Sequence, residues 1–127
     1  MGPREPVQVW VDAFNGRNVD RLAAFYSETA TNYQVPEAPV SGREAIRTMF
    51  RDEFARAEMI CIPENIFEEG EWAILEWRDP LGMRGCGFFH VVESEIVFQR
   101  GYWDKLTLFE VAWVAAGPKF RLTAAEN

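Results

Sequence analysis

The chain has 127 residues, 48% hydrophobic and 14% aromatic, which suits one packed domain and excludes global disorder. Its 20 acidic and 13 basic residues give a net charge of −7, which repels phosphate backbones and anionic lipid, so neither nucleic acid nor membrane is an expected partner. Met1 to Pro6 carries no apolar signal-peptide core and no stretch approaches a membrane span, so the expected location is cytoplasmic.

Pro6 opens a first helix whose Val7, Trp10, Val11 and Phe14 fall on one face, and Asn15-Gly16 ends it. Asn18 can cap a second helix with a stripe of Leu22, Phe25 and Tyr26. Thr29 to Val35 leans towards strand, and Pro36 to Pro39 interrupts it. Ser41-Gly42-Arg43-Glu44 reads as a capping box before a third helix lined by Ile46, Met49, Phe50, Phe54 and Ala57. Met59 to Phe67, broken near Pro63, and Glu71 to Arg78 read as strands; Asp79-Pro80-Leu81-Gly82 reads as a turn. Met83 to Val92 and Ile96 to Trp103 form a hairpin around Glu93-Ser94-Glu95. Asp104 can cap a last element through Leu106, Phe109 and Trp113, helix or strand, which Gly117-Pro118 stops. Helices followed by strands exclude a βαβ sheet. They predict an α+β fold, with three N-terminal helices covering a curved antiparallel or mixed sheet and a small-molecule pocket between the layers. The core is expected over about 6–116, with a loosely held tail at 118–127.

Centring the last hairpin on Ser94 pairs residues whose numbers sum to about 188. One face then carries Gly85, Gly87, Phe89, Val91, Val97, Gln99, Gly101 and Trp103, and the other Cys86, Phe88, His90, Val92, Ile96, Phe98, Arg100, Tyr102 and Asp104. Gly87 opposite Gly101 leaves a hollow that admits a ligand or an indole, or lets a coiled sheet bend. His90 and Asp104 come out about 20 Å apart at ~3.3 Å per residue, too far for a dyad, so His90 beside Phe88 and Phe98 reads as structural. Asp79 and Asp104 each also read as a backbone cap, of a turn and of a helix. Cys61 and Cys86 lie in apolar patterns without CxxC spacing and read as free thiols. No cluster has metal spacing and no glycine-rich loop cradles phosphate, so neither metal nor cofactor is expected.

Two segments, "VQVWVDAFNGRNVDRLAAFYSETATNYQVPEAPVSGREAIRTMF" and "EEGEWAILEWRD…FHVVESEIVFQRGYWDKL", resemble the NTF2-like superfamily and its SnoaL-like group, which includes polyketide cyclases and limonene epoxide hydrolase. The resemblance covers roughly residues 7 to 109 and implies a cone-shaped, cystatin-like roll with a deep pocket and a homodimer through the outer sheet face. The hydrolase's Arg and two Asp positions read here as Trp77, Asp79 and Gly101, so only Asp79 survives of the groups that activate water and protonate an epoxide. Its helper Tyr and Asn fall at Asn32 and Gln34, with Tyr33 displaced to the opposite face, and the ketosteroid isomerase base falls near Gln34, an amide that abstracts no proton. The resemblance thus implies a small apolar or aromatic ligand in a pocket of Trp77, Gln99, Trp103, Phe89, Gln34, Asn32, Gly101, Gly87 and Met49. Asp79 is the candidate lone acid/base of a lyase, isomerase or cyclase, with His90, Asp104 and Tyr26 as alternative polar groups. The other expectation is a non-catalytic dimeric module for ligand binding or assembly.

Overall fold

A proline at the third position cannot continue a chain of donors, and there the first helix begins. The computed structural model describes residues 2–107, with α1 over Arg4–Asn15 and Pro3 at its N-cap. Pro6 therefore lies inside the first turn rather than at its start, where the missing N–H still costs nothing. Val7, Trp10, Val11 and Phe14 are buried on one face, as the spacing predicts, and Gly16 closes the helix. The second helix, α2, spans Val19–Ala24, and its cap is Asn18, whose Oδ1 accepts from the Arg21 N–H at 3.1 Å. It ends before Tyr26, which the apolar stripe had included. Tyr26 instead opens strand β1, Tyr26–Gln34, because the sheet claims its backbone opposite Ile96.

The capping box before the third helix does not form. Ser41 belongs to a two-residue strand, β2 (Val40–Ser41), and its hydroxyl meets Thr31 Oγ1 at 3.1 Å. The N-cap is Gly42, at φ 95°, and α3 runs Arg43–Arg56 with Ile46, Phe50 and Phe54 buried. Four strands follow: β3 (Ile62–Glu69), β4 (Trp72–Arg78), β5 (Arg84–Val92) and β6 (Glu95–Trp103). A helical turn begins at Lys105; the expected element through Phe109 and Trp113 and the tail at 118–127 lie outside the described residues.

The six strands form one mixed sheet in the order β2-β1-β6-β5-β4-β3. Neighbours pair antiparallel except β1, which runs parallel to β6. Helix side chains pack on its inner face: Trp10 stacks on Phe14 at 5.2 Å and meets Phe89 edge-on at 5.1 Å, while Phe14 meets Phe54 at 5.2 Å. Side chains of this size each stabilise the fold by roughly 1.5–3 kcal/mol when buried. That aromatic layer joins helices to sheet.

In the β5–β6 hairpin, Gly85↔Trp103 through His90↔Phe98 all satisfy the predicted sum. Nearer the turn the pairs are Val91↔Ile96 and Val92↔Glu95, so Val97 is a bulge and the loop is two residues, Glu93 and Ser94, both at positive φ. The bulge turns Ile96 onto the inner face, where it is 1% exposed, whereas strict alternation had placed it outside.

The glycine hollow is occupied by side chains. Trp77 pairs with Gly85 and its indole lies over it, where a methyl would meet Trp77 Cζ2 at 2.5 Å and the Tyr102 carbonyl at 2.6 Å. The Gln34 amide covers Gly101 in the same way. Parallel docking of β1 beside β6 brings Gln34 there, and hairpin arithmetic cannot anticipate it. Gly85→Ala should therefore destabilise the fold by about 1–3 kcal/mol in urea unfolding, with the loss falling when Trp77→Leu is added.

Candidate functional site

Alternation along β1 sends Ala30, Asn32 and Gln34 to the inner face, and on β6 it sends Gln99, Gly101 and Trp103 there. Register joins the two sets, as Asn32 pairs with Gln99 and Gln34 with Gly101. Five of the residues expected at the pocket thus come together. Asn32 and Gln99, 1% and 4% exposed, are the buried polar side chains of the described core.

Two hydrogen-bond relays organise them. Trp103 Nε1 donates to Gln34 Oε1 at 2.9 Å, and Gln34 Nε2 donates to Asn32 Oδ1 at 2.6 Å. Trp10 Nε1 donates to the Tyr26 hydroxyl at 3.0 Å, which in turn donates to Gln99 Oε1. Burial holds the Tyr26 phenol far above its ordinary range, with the charge of Glu53 adding to the shift, so Tyr26 stays a neutral donor. Phe89 lies buried against Trp10, Gly87 is buried beside it, and Trp77 and Met49 pack on the edge of the same core.

Glu53 is the acidic group of this region, and the sequence reading passed it over. It sits on α3 among Met49, Phe50, Phe54 and Ala57, at the i, i+3, i+4 spacing of the apolar stripe. A carboxylate on that stripe was the available signal. Desolvation raises its pKa from 4.5 to about 7, with Arg56 opposing and Glu37 reinforcing the shift. Part of its surface remains open to solvent, which places it at the rim of the core.

The other polar candidates lie elsewhere. Asp79 Oδ1 accepts from the N–H groups of Leu81, at 3.0 Å, and Met83, at 2.8 Å, in the expected turn. Asp104 is exposed and caps the turn at Lys105: Thr107 Oγ1 donates to Oδ2 at 2.7 Å and Leu106 N–H to Oδ1 at 3.1 Å. The Thr107 bond first, then the Leu106 bond, holds its carboxyl below the usual value. His90 lies on the outer face, stacked on Trp72 at 4.7 Å with Nε2 2.9 Å from Glu71 Oε1. Cys61 is a buried free thiol pushed up to about 12 by desolvation, and Cys86 is half-buried and free. Among the described residues, no three His, Cys, Asp or Glu side chains are gathered as for a metal, and no helix is long and apolar enough to cross a membrane.

A surface depression at the start of α3 is lined by Glu28, Ser41, Gly42 and Arg43. The Arg43 guanidinium there holds the Tyr26 carbonyl at 2.8 Å and faces Glu28 and Glu95, so it fastens α3 to β1.

A family model described as a SnoaL-like domain matches residues 7–99. No curated protein matches the chain. Among solved structures, an NTF2-like protein of unknown function from Cytophaga hutchinsonii ATCC 33406 superposes with TM-score 0.74 at 20% identity, covering 86% of this chain and 96% of its own. SalBIII, an epoxide hydrolase/cyclase-like enzyme with a role in pyran ring formation in the polyether salinomycin, gives 0.72 at 20% identity, covering 82% and 92%. A Kribbella flavida DSM 17836 protein assigned as a ketosteroid isomerase gives 0.70 at 19%, covering 81% and 78%. At these identities the likeness shows the fold, which is NTF2-like.

The two Asp79 roles separate by substitution. Asp79→Ala should cost about 1 kcal/mol in chemical unfolding, whereas Asp79→Asn, which keeps the Oδ1 acceptor, should stay within about 0.5 kcal/mol of the parent.

Proposed function

The chain belongs to the SnoaL-like domain family, and from that premise we propose that it binds a small apolar or aromatic molecule between helices and sheet and moves a proton on it. The reaction type is that of a lyase, isomerase or cyclase. Glu53 carries this reading: a carboxyl at the edge of an aromatic core with a pKa of about 7 both takes and gives a proton at neutral pH. It assumes the acid/base role expected of Asp79, whose Oδ1 is engaged by its own turn. The Trp103–Gln34–Asn32 and Trp10–Tyr26–Gln99 relays supply fixed polar groups to orient a ligand without themselves titrating near pH 7.

The sign of the Glu53 effect is set by its raised value. In the unfolded chain it ionises near 4.5 and in the fold near 7, so ionisation opposes folding. This cost is absent below about pH 4.5, grows between 4.5 and 7, and is complete above 7. Glu53→Gln should accordingly stabilise the protein by on the order of 2 kcal/mol at pH 8 and leave it nearly unchanged at pH 4. A 13C NMR titration of the Glu53 carboxyl should show a midpoint close to neutrality. Ionisation like that of a solvated glutamate would remove the acid/base from the proposal.

A second reading, a non-catalytic dimeric module for ligand binding or assembly, draws support from the outer sheet face. There the Arg100 guanidinium lies 4.9 Å from the Phe88 ring centre and 5.7 Å from that of Tyr102, while Tyr102 is 41% exposed. A homodimer through that face should sediment at twice 14.6 kDa and revert to monomer on Tyr102→Glu. A strict monomer at high micromolar concentration would discard it.

A further inference from the structure

We propose that the open edge of β3 accepts an added strand from a basic, extended segment of a partner protein. The inference is independent of the inner sheet face and of any reaction there.

β3 ends the sheet, and among the described residues β4 is the one strand beside it. The hairpin sets which backbone groups face outward. Glu69 pairs with Trp72, so the loop is Gly70 and Glu71, with Gly70 at φ 58° and Glu71 not at positive φ. Glycine at positive φ in the first central position marks a type II′ turn, whose flanking residues exchange hydrogen bonds. Glu69 and Phe67 therefore turn their N–H and C=O groups towards β4, and Glu68 and Ile66 turn theirs outward. The Ile66 carbonyl accordingly accepts from a group beyond the sheet, Arg4 Nη1, at 2.9 Å. Pro63 and the bulge at Glu64 end the regular stretch, which leaves residues 65–69 as the usable edge.

Outward N–H and C=O groups take another strand, and the side chains beside them decide which one. β3 carries Glu64, Glu68 and Glu69 and no lysine or arginine. Glu64 is held by Arg78 and Arg84, at 3.7 and 2.6 Å, whereas Glu68 and Glu69 are exposed at the hairpin end. The Arg4 N–H meets Glu68 Oε2 at 3.0 Å, so this edge already holds one basic residue by a carbonyl and a carboxylate together. Phe67, which pairs with Ile74 and is 51% exposed, adds an apolar neighbour. A second copy is opposed, because its own edge brings the same carboxylates and each chain carries a net charge of −7. The segment that fits runs antiparallel to β3, with lysine or arginine opposite Glu69 and Glu68 and apolar residues opposite Phe67 and Ile66.

The probe is the peptide acetyl-KKVIT-amide, whose residues fall opposite positions 69 to 65 in that order. Two N-methylated forms keep its charge. One is methylated at its second and fourth residues, opposite Glu68 and Ile66, and the other at its third, whose N–H faces away. Each is titrated into the 15N-labelled full chain and followed by NMR. The parent peptide should bind, move the Ile66 and Glu68 amide signals most and slow their exchange with solvent. Methylation at the second and fourth residues should weaken it roughly tenfold or more, and at the third less than about threefold. Glu68→Pro removes an outward N–H that β4 does not use, so it should weaken the parent peptide roughly tenfold while β3 stays paired. If that variant does not fold, the methylated pair on the parent protein decides. Equal affinities for the three peptides mean charge attraction alone and overturn the proposal, as does no binding at millimolar peptide. Self-association of the chain alone that Glu68→Pro abolishes makes a second copy the occupant and overturns it as well.

Discussion

The parallel docking of β1 against β6 is the constraint on which the rest of this structure depends. It is the one parallel pairing in the described sheet, and it joins residues more than sixty positions apart in the chain. Through it Gln34 covers Gly101, Asn32 stands beside Gln99, and Tyr26 reaches from the start of β1 to the Gln99 amide. Without that register, the polar residues of β1 and β6 would be isolated buried amides, each a cost to the fold. With it they become two relays, each anchored at an indole.

The relays and Glu53 differ in their electrostatics. Amides, indoles and a phenol held far above its ordinary range do not titrate near neutrality, so they fix direction. Glu53 titrates because α3 carries it on an apolar stripe, and the electrostatic coupling between Glu53 and Tyr26 ties it to the same region.

The outer face follows different rules. His90 stacks on Trp72 and meets Glu71, and Arg100 lies over Phe88, Phe98 and Tyr102. These are broad aromatic and cationic contacts rather than a converging set. The candidate histidine is engaged there by Trp72 and Glu71 on the outer face of the sheet.

Local pattern and tertiary structure determined different parts of this protein. Apolar spacing was enough for the inner face of α1, the Asn18 cap, the Asp79 turn and most of the β5–β6 register, because each depends on residues close in sequence. Hairpin register put Gln99 and Trp103 on one face, and the family resemblance, not spacing, added Asn32 and Gln34 to them. Spacing did not supply the bulge at Val97, which depends on a two-residue turn and reverses Ile96, nor the strand role of Ser41 that removes its cap. Glu53 was visible as a carboxylate on an apolar stripe, but its raised pKa needed the surrounding protein, since desolvation is a property of packed neighbours. Which way each buried amide points was decided by tertiary structure alone, because only long-range contact brings a donor-only indole to the end of each relay.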